Sequence, residues 1–243
     1  MTIPEEALNN PWNEVSLSDY ENHMKLDGVK QLQALNQMMK KQFFTIDQLI
    51  EMENLGKSGS RDLGKVMILG IAGGNGLEHV TPGKYEKVYG VDINTAYLEE
   101  IKNRYPNLEG MLECIAVDLI TEPENLPKAD YVIANLLIEY IGYEAFQKVV
   151  KQVSPEAVSC VIQINCDTSG EWVSDSPYIH AFDDLDRVHH QIDKEALSRC
   201  LFDIGYEWID VPSSVSLPNG KRFEMLDFHK IPENAKSLYN KAN

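Results

Sequence analysis

The sequence predicts an α/β protein built on one open, mostly parallel sheet, with a helical attachment before the sheet and an antiparallel hairpin at its end. Three observations predict it. Residues 66–76, VMILGIAGGNG, are a short apolar run with four glycines in its last seven positions. Short apolar strands then alternate with helical stretches, and two of those strands close on acids, Asp92 and Asp118. Such alternation implies right-handed crossovers and a parallel sheet. Last, YEWIDVPSSVSL and KRFEMLDFHK flank Pro218-Asn219-Gly220, a strong turn signal between two antiparallel strands.

The elements follow in order. Residues 1–57 read as a helical N-terminal attachment and 58–243 as the main domain. Residues 1–15 look irregular, held by Trp12. Ser18-x-x-Glu21 is a capping box, in which a hydroxyl and a carboxylate satisfy free helix N–H groups. A helix is expected from there to about Phe43, with Met24, Gly28, Leu32, Leu35 and Met39 on one stripe. Thr45-x-x-Gln48 opens a second short helix that stops near Gly56. The stretch GKSGSRDLGK (56–65) is a flexible link into the sheet. Strands are expected at 66–70, 87–92, 113–117, 129–134 and 158–165. Helices are expected near 76–80, 94–105, 143–153 and 193–204. One segment breaks the alternation. Residues 167–192 delay the next helix and hold Trp172, Tyr178, His180, Phe182, His189 and His190. Long irregular stretches inside a domain are often functional, and these side chains suit an acceptor pocket.

The glycine turn followed by an acid at the tip of the next strand is how an open parallel sheet binds the adenosine half of a cofactor. Glycine lets the backbone approach a ligand closely. Asp92 is placed to accept both ribose hydroxyls. A nicotinamide fingerprint needs G-x-G-x-x-G/A. From Gly74 the letters are GNGLEH, which puts His79 where a small residue must sit.

Composition narrows the classes. The chain has 243 residues and a formal net charge of −16, from 22 Lys plus Arg against 38 Asp plus Glu. That sign disfavours polyanions and anionic membrane surfaces, and no basic run stands out. Cys114, Cys160, Cys166 and Cys200 form no C-x-x-C pair and no metal-ligand spacing, so no metal site is expected. Small core hydrophobes in a reducing compartment are the expectation. The N-terminus is no secretory signal, and no apolar run approaches the ~20 residues of a membrane span. A cytoplasmic protein is expected.

With these strand ends in view, the chain from about Val66 onward resembles the S-adenosylmethionine-dependent methyltransferases of the Rossmann-like, class I type. The family's acid-x-Gly-x-Gly-x-Gly motif falls on Ile68, Gly70, Ala72, Gly74 and Gly76. Ala72 for glycine is a mild departure. Ile68 for the acid removes a group that usually helps hold the methionine ammonium. The resemblance implies a seven-stranded sheet whose last strand inserts antiparallel, and S-adenosylmethionine as cofactor. It implies that Ile93 lies on the adenine, that Asp118 and the Leu119 N–H meet adenine nitrogens, and that Asn135 and Leu136 flank the methionine portion. It also implies an N-terminal lid, from which Tyr20 or His23 reaches the methionine carboxylate. The reading is methyl transfer to a small-molecule acceptor through O, N or C, with no nucleic acid and no membrane as partner. A general base, where the acceptor needs one, comes from His23, His180, His189 or His190. Asn-Leu-Leu-Ile after the fourth strand lacks the Asn-Pro-Pro-Tyr pattern of adenine and glutamine amino methylation. The rival reading is a non-catalytic module that binds the cofactor and has lost transfer.

Overall fold

The computed structural model describes residues 10–26, 30–55, 63–166, 172–174, 176–209, 211 and 213–232. Five strands form the parallel part of the sheet: β1 (Lys65–Leu69), β2 (Lys87–Asp92), β3 (Leu112–Ala116), β4 (Tyr131–Asn135) and β5 (Ala157–Asn165). Three more follow: β6 (Tyr206–Ile209), β7 (Ser214–Ser216) and β8 (Lys221–Lys230). The order across the sheet is β3-β2-β1-β4-β5-β8-β6, with β7 also on β8. Strand β8 runs antiparallel to β5, β6 and β7. This is a mixed α/β, Rossmann-like architecture.

Strand β1 shows why the sheet forms. Its apolar run has no polar face, as befits a strand covered on both sides. Val66 and Ile68 join one core with Phe43, Ile46 and Ile50 from helix α2 (Gln31–Glu53) and Leu98 and Ile101 from α3 (Thr95–Arg104). Met67 and Leu69 join the opposite core. There they meet Phe146, Val149 and Val153 from α4 (Ile138–Val153) and Leu197 and Leu201 from α5 (Lys194–Phe202). Asn94 caps α3 by accepting from the Ala96 and Tyr97 N–H groups.

Several expectations change. The N-terminal region is two helices, α1 (Leu17–Met24) and α2, not one helix to Phe43. Gly28, placed on the stripe, lies outside the described residues, as do residues 56–62 of the link and 167–171 of the long segment. The cap of α1 is Ser16, not Ser18: its hydroxyl accepts from the Asp19 N–H at 3.1 Å. Thr45 opens nothing, because α2 runs through it; apolar burial from Ala34 to Ile50 outweighs its local cap signal. The helix expected at 76–80 is only a 3-10 turn, Leu77–His79. Helix α4 starts at Ile138, ahead of the expected 143, and is interrupted at Gly142 (φ 72°, ψ 171°). The long segment contains a 3-10 run, Ile179–Arg187. The turn at 218–220 forms, with Leu217 N–H donating to the Lys221 carbonyl at 2.8 Å. The segment before it divides into β6 and β7, so among the described residues the seven-stranded path that the resemblance implied carries an eighth strand, β7, on β8.

Candidate functional site

The carboxyl ends of β1 to β5 open into one cavity, walled on its far side by α1 and the segment before it. Its volume is about 140 Å³. Ligands of open α/β sheets bind at this edge, where strand order reverses, and here β1 is that switch between β2 and β4.

The glycine turn forms the floor at β1. Gly70 and Ala72 line the cavity; Gly74 and Gly76 do not. A Cβ on Gly74 would lie 2.5 Å from the Tyr105 ring, and one on Gly73 would lie 2.7 Å from Glu21 Oε1. These two glycines admit protein side chains rather than a ligand. Glu21 pairs with Arg104, whose Nη1 also donates to the Gly73 carbonyl at 3.4 Å, so α1 is pinned to the turn. Ala72 and Leu136 hold left-handed backbone (φ 47° and 52°), and both line the cavity. Strain of that kind gathers at functional sites.

Asp92 ends β2 and lines the cavity at 9% exposure. Its Oδ2 accepts from the Ala72 N–H and its Oδ1 from the Asn94 N–H, both at 2.9 Å. Burial outweighs these bonds and pushes its pKa up to about 6. Ile93, Asp118 and Leu119 line the same end. Asp118 Oδ1 accepts from the Ile120 N–H at 2.9 Å. A carboxylate at each of two strand tips with apolar walls between them is an acceptor set that fits an adenosyl group.

At β4, Asn135 and Leu136 line the cavity. The Asn135 amide is engaged at both ends by Gln42 of α2: Gln42 donates to its Oδ1 at 2.8 Å, and its Nδ2 donates to Gln42 Oε1 at 2.9 Å. Ile68, where the motif has an acid, is buried in the sheet core at 3% exposure and does not line the cavity.

The N-terminal segment contributes Trp12, Tyr20, His23 and Met24 to the lining. It is held by Asn94 Nδ2 donating to the Trp12 carbonyl at 3.1 Å and by Tyr97 Oη donating to the Val15 carbonyl at 2.8 Å. Tyr20 Oη accepts from Asn75 Nδ2 at 2.9 Å. Burial, opposed by that bond, raises the Tyr20 phenol to about 12, so it stays neutral.

The histidines divide. His180 does not line the cavity; its side chain is 88% exposed beside Asp183. His190 is not a lining residue either. His23 is buried, with Nδ1 3.0 Å from Ser176 Oγ, and burial lowers its pKa. His189 stacks on Trp172 with centroids 4.2 Å apart. Burial, reinforced by His190, pushes it down to about 4. An imidazole that weakly basic is a poor proton acceptor near neutral pH.

A residue outside the expected set stands out. Glu139, in the first turn of α4, lines the cavity at 4% exposure. Its Oε1 accepts from the Gln163 N–H of β5 at 2.8 Å, and its Oε2 has no hydrogen-bond partner among the described residues. Burial pushes its pKa up to about 7. The signal was present in the letters: one acid inside the apolar run LLIEYIG.

Among the described residues no group of His, Cys, Asp and Glu is arranged to hold a metal ion, and no helix is long and apolar enough to cross a membrane. Neither a protein-family model nor a curated protein sequence matches the chain. Solved structures do. Magnesium protoporphyrin IX methyltransferase (ChlM) from Synechocystis PCC 6803 with bound S-adenosylhomocysteine superposes with TM-score 0.57 at 12% identity, over 93% of this chain and 99% of that one. The same enzyme has been solved with S-adenosylmethionine bound. The fold is that of the class I methyltransferases. The methyltransferase domain of bacterial CtHen1 matches with TM-score 0.53 at 16% identity, over 79% of this chain and 98% of that one. The [4+2]-cyclase SpnF matches with TM-score 0.53 at 12% identity, over 76% and 81%. A methyltransferase and a cyclase on one fold mean that the chemistry has to be argued from the site.

Proposed function

We propose that this protein binds S-adenosylmethionine across the β1–β2–β3 end of the cavity and transfers its methyl group to a small-molecule acceptor at the β4–β5 end. The observation that carries the reading is the buried Asp92 carboxylate. It stands at the tip of β2, against the glycine turn, in the same cavity as Glu139, Tyr140 and Trp172. Asp92 would take the ribose hydroxyls and Asp118 the adenine amino group, with Ile93 and Leu119 against the ring. When bound, the cofactor supplies an activated methyl on sulfur; transfer joins that carbon to the acceptor atom and leaves the carbon–sulfur electron pair on sulfur. The protein has to align the acceptor and exclude water. Trp12 and α1 cover the cavity on the side away from the sheet, and we read them as a lid.

The acceptor is proposed to be small because the cavity is walled in by the N-terminal segment and because, among the described residues, no Lys or Arg lines it to meet a polyanion. The protein is expected to bind S-adenosylmethionine or S-adenosylhomocysteine with a measurable heat and a raised melting temperature. Equal or tighter binding of NAD would overturn the reading. Ile68 supports a second reading, a module that binds the cofactor without transfer. Mass-spectrometric turnover on a metabolite extract separates the two: a new methylated product excludes the second.

A further inference from the structure

The β4–β5 end of the cavity has a chemistry of its own. Glu139 Oε2 is a buried carboxylate oxygen without a partner among the described residues. Rings share the cavity with it. Trp12 and Tyr140 meet edge to face with centroids 4.8 Å apart, and Tyr140 and Trp172 do so at 5.9 Å. All four residues line the cavity. Aromatic faces are negative, and a box of them attracts a cation, most of all one with no water left to lose. No Lys or Arg is among the lining residues, whereas Asp92, Asp118 and Glu139 are. His189, the imidazole stacked on Trp172, is neutral at neutral pH. Among the described lining residues a carboxylate or phosphate would meet no Lys or Arg; the nearby buried Lys221 is turned to Asn165, donating to its Oδ1 at 3.5 Å. The net charge of −16 draws cations toward the mouth.

We infer that the methyl acceptor is a small amine, received as its ammonium form between Glu139 and the rings of Trp12, Tyr140 and Trp172. The inference rests on the methyltransferase reading for the word acceptor, but the cation site stands on its own residues. Glu139 takes one proton from the ammonium and holds it. The freed nitrogen lone pair then bonds to the methyl carbon as the carbon–sulfur pair stays on sulfur, and the proton leaves Glu139 for solvent. The methylated product is again a cation and faces the same carboxylate and rings. Two features place Glu139 on the acceptor rather than on the cofactor. It is bonded to β5, two strands from β1 and three from Asp92 on β2. Tyr140, one residue on, is itself part of the ring box.

The test is calorimetry on the whole protein with choline and with 3,3-dimethylbutan-1-ol, which has the same shape without the charge, each in the presence and absence of S-adenosylhomocysteine. Choline is expected to bind at least about tenfold more tightly than the alcohol. Glu139→Gln is expected to weaken choline at least about tenfold, because one partner of a buried charge pair is gone, and to leave S-adenosylhomocysteine affinity unchanged. Trp12→Leu, which keeps the backbone carbonyl that Asn94 uses, is expected to weaken choline about fivefold and the alcohol far less. It serves as a second readout if the Glu139 variant does not fold. Equal binding of choline and the alcohol overturns the inference. So does a Glu139→Gln protein that loses S-adenosylhomocysteine and keeps choline, since that result puts Glu139 on the cofactor. A wild-type protein that discriminates choline from the alcohol but never binds S-adenosylhomocysteine upholds the cation site and sinks the methyltransferase reading instead.

Discussion

At the β1–β2–β3 end of the cavity the carboxylates of Asp92 and Asp118 already accept from backbone N–H groups close to them in the fold. At the β4–β5 end Glu139 keeps one oxygen without a partner among the described residues and shares the cavity with the rings of Tyr140, Trp12 and Trp172, the last two from distant parts of the chain. The first end is a preformed cradle, set by main-chain geometry and suited to one recurring ligand part. The second is a charge and a set of faces, suited to whatever cation this chain has been adapted to hold. The difference teaches what each end depends on: the cradle on main-chain geometry at the strand tips, the ring box on side chains that only the fold brings together.

Breaking the cradle is expected to give the largest effect. Asp92→Ala removes charged hydrogen bonds worth about 1.5–3 kcal/mol each, so S-adenosylhomocysteine affinity is expected to fall about a hundredfold by calorimetry. Choline affinity is expected to fall far less, although Asn94 bonds both Asp92 and the Trp12 carbonyl; a parallel loss of both would erase the comparison drawn above.

Next comes the cost of burying Glu139. Its carboxyl is raised from 4.5 to about 7 in the folded protein. A raised acid favours the folded state below its unfolded pKa, and that contribution is lost as pH climbs through the folded one. Glu139→Gln carries no such loss. The cofactor-free variant is therefore expected to match wild type near pH 4 and to gain on it up to about pH 8, by as much as about 3 kcal/mol. Melting curves across that range check it, and a difference that does not grow with pH refutes it.

The N-terminal segment spans both ends, since Trp12 belongs to the ring box while Tyr20 bonds Asn75 in the glycine turn. If it is a lid, filling the cradle slows amide exchange over α1 by about tenfold at saturating S-adenosylhomocysteine. Unchanged exchange there would make α1 a permanent part of the wall. The smallest effect is expected at Ala72. Its left-handed backbone is strained for any residue with a Cβ, so Ala72→Gly is expected to raise stability by up to about 1 kcal/mol, seen as a melting shift of about 2–4 °C.

The cradle was legible because its parts are local. A strand, a glycine turn and an acid at the next strand tip keep a fixed spacing, and Gly70, Ala72, Asp92, Ile93, Asp118 and Leu119 all line the cavity. What the spacing hid was the reason for some of the glycines: Gly73 and Gly74 give way to Glu21 and Tyr105, contacts made only after α1 and α3 have packed. The ring box was not legible as a unit. Trp12, Tyr140 and Trp172 share no periodicity, and the fold alone makes them neighbours. Histidine attracted attention as the ordinary base near neutral pH, yet burial weakens His23 and His189 and strengthens Glu139. Residue type suggested one group and environment favoured another. The tail was half legible. Its turn signal at 218–220 was plain, but only the sheet decides that β8 enters beside β5.

That placement bears on the order in which the molecule can be completed. Strands β1, β2 and β3 are contiguous in the chain, so the ladders under the cradle are available to a nascent polypeptide early. Strand β5 pairs with β8 along nine positions, from Ala157 with His229 to Asn165 with Lys221. Until residue 230 has left the ribosome, β5 has an open edge, and with it the strand whose Gln163 N–H holds Glu139. A chain arrested before Lys221 would lack an interior strand rather than a dispensable end. During synthesis the cation chamber is the last part of the cavity to gain its support.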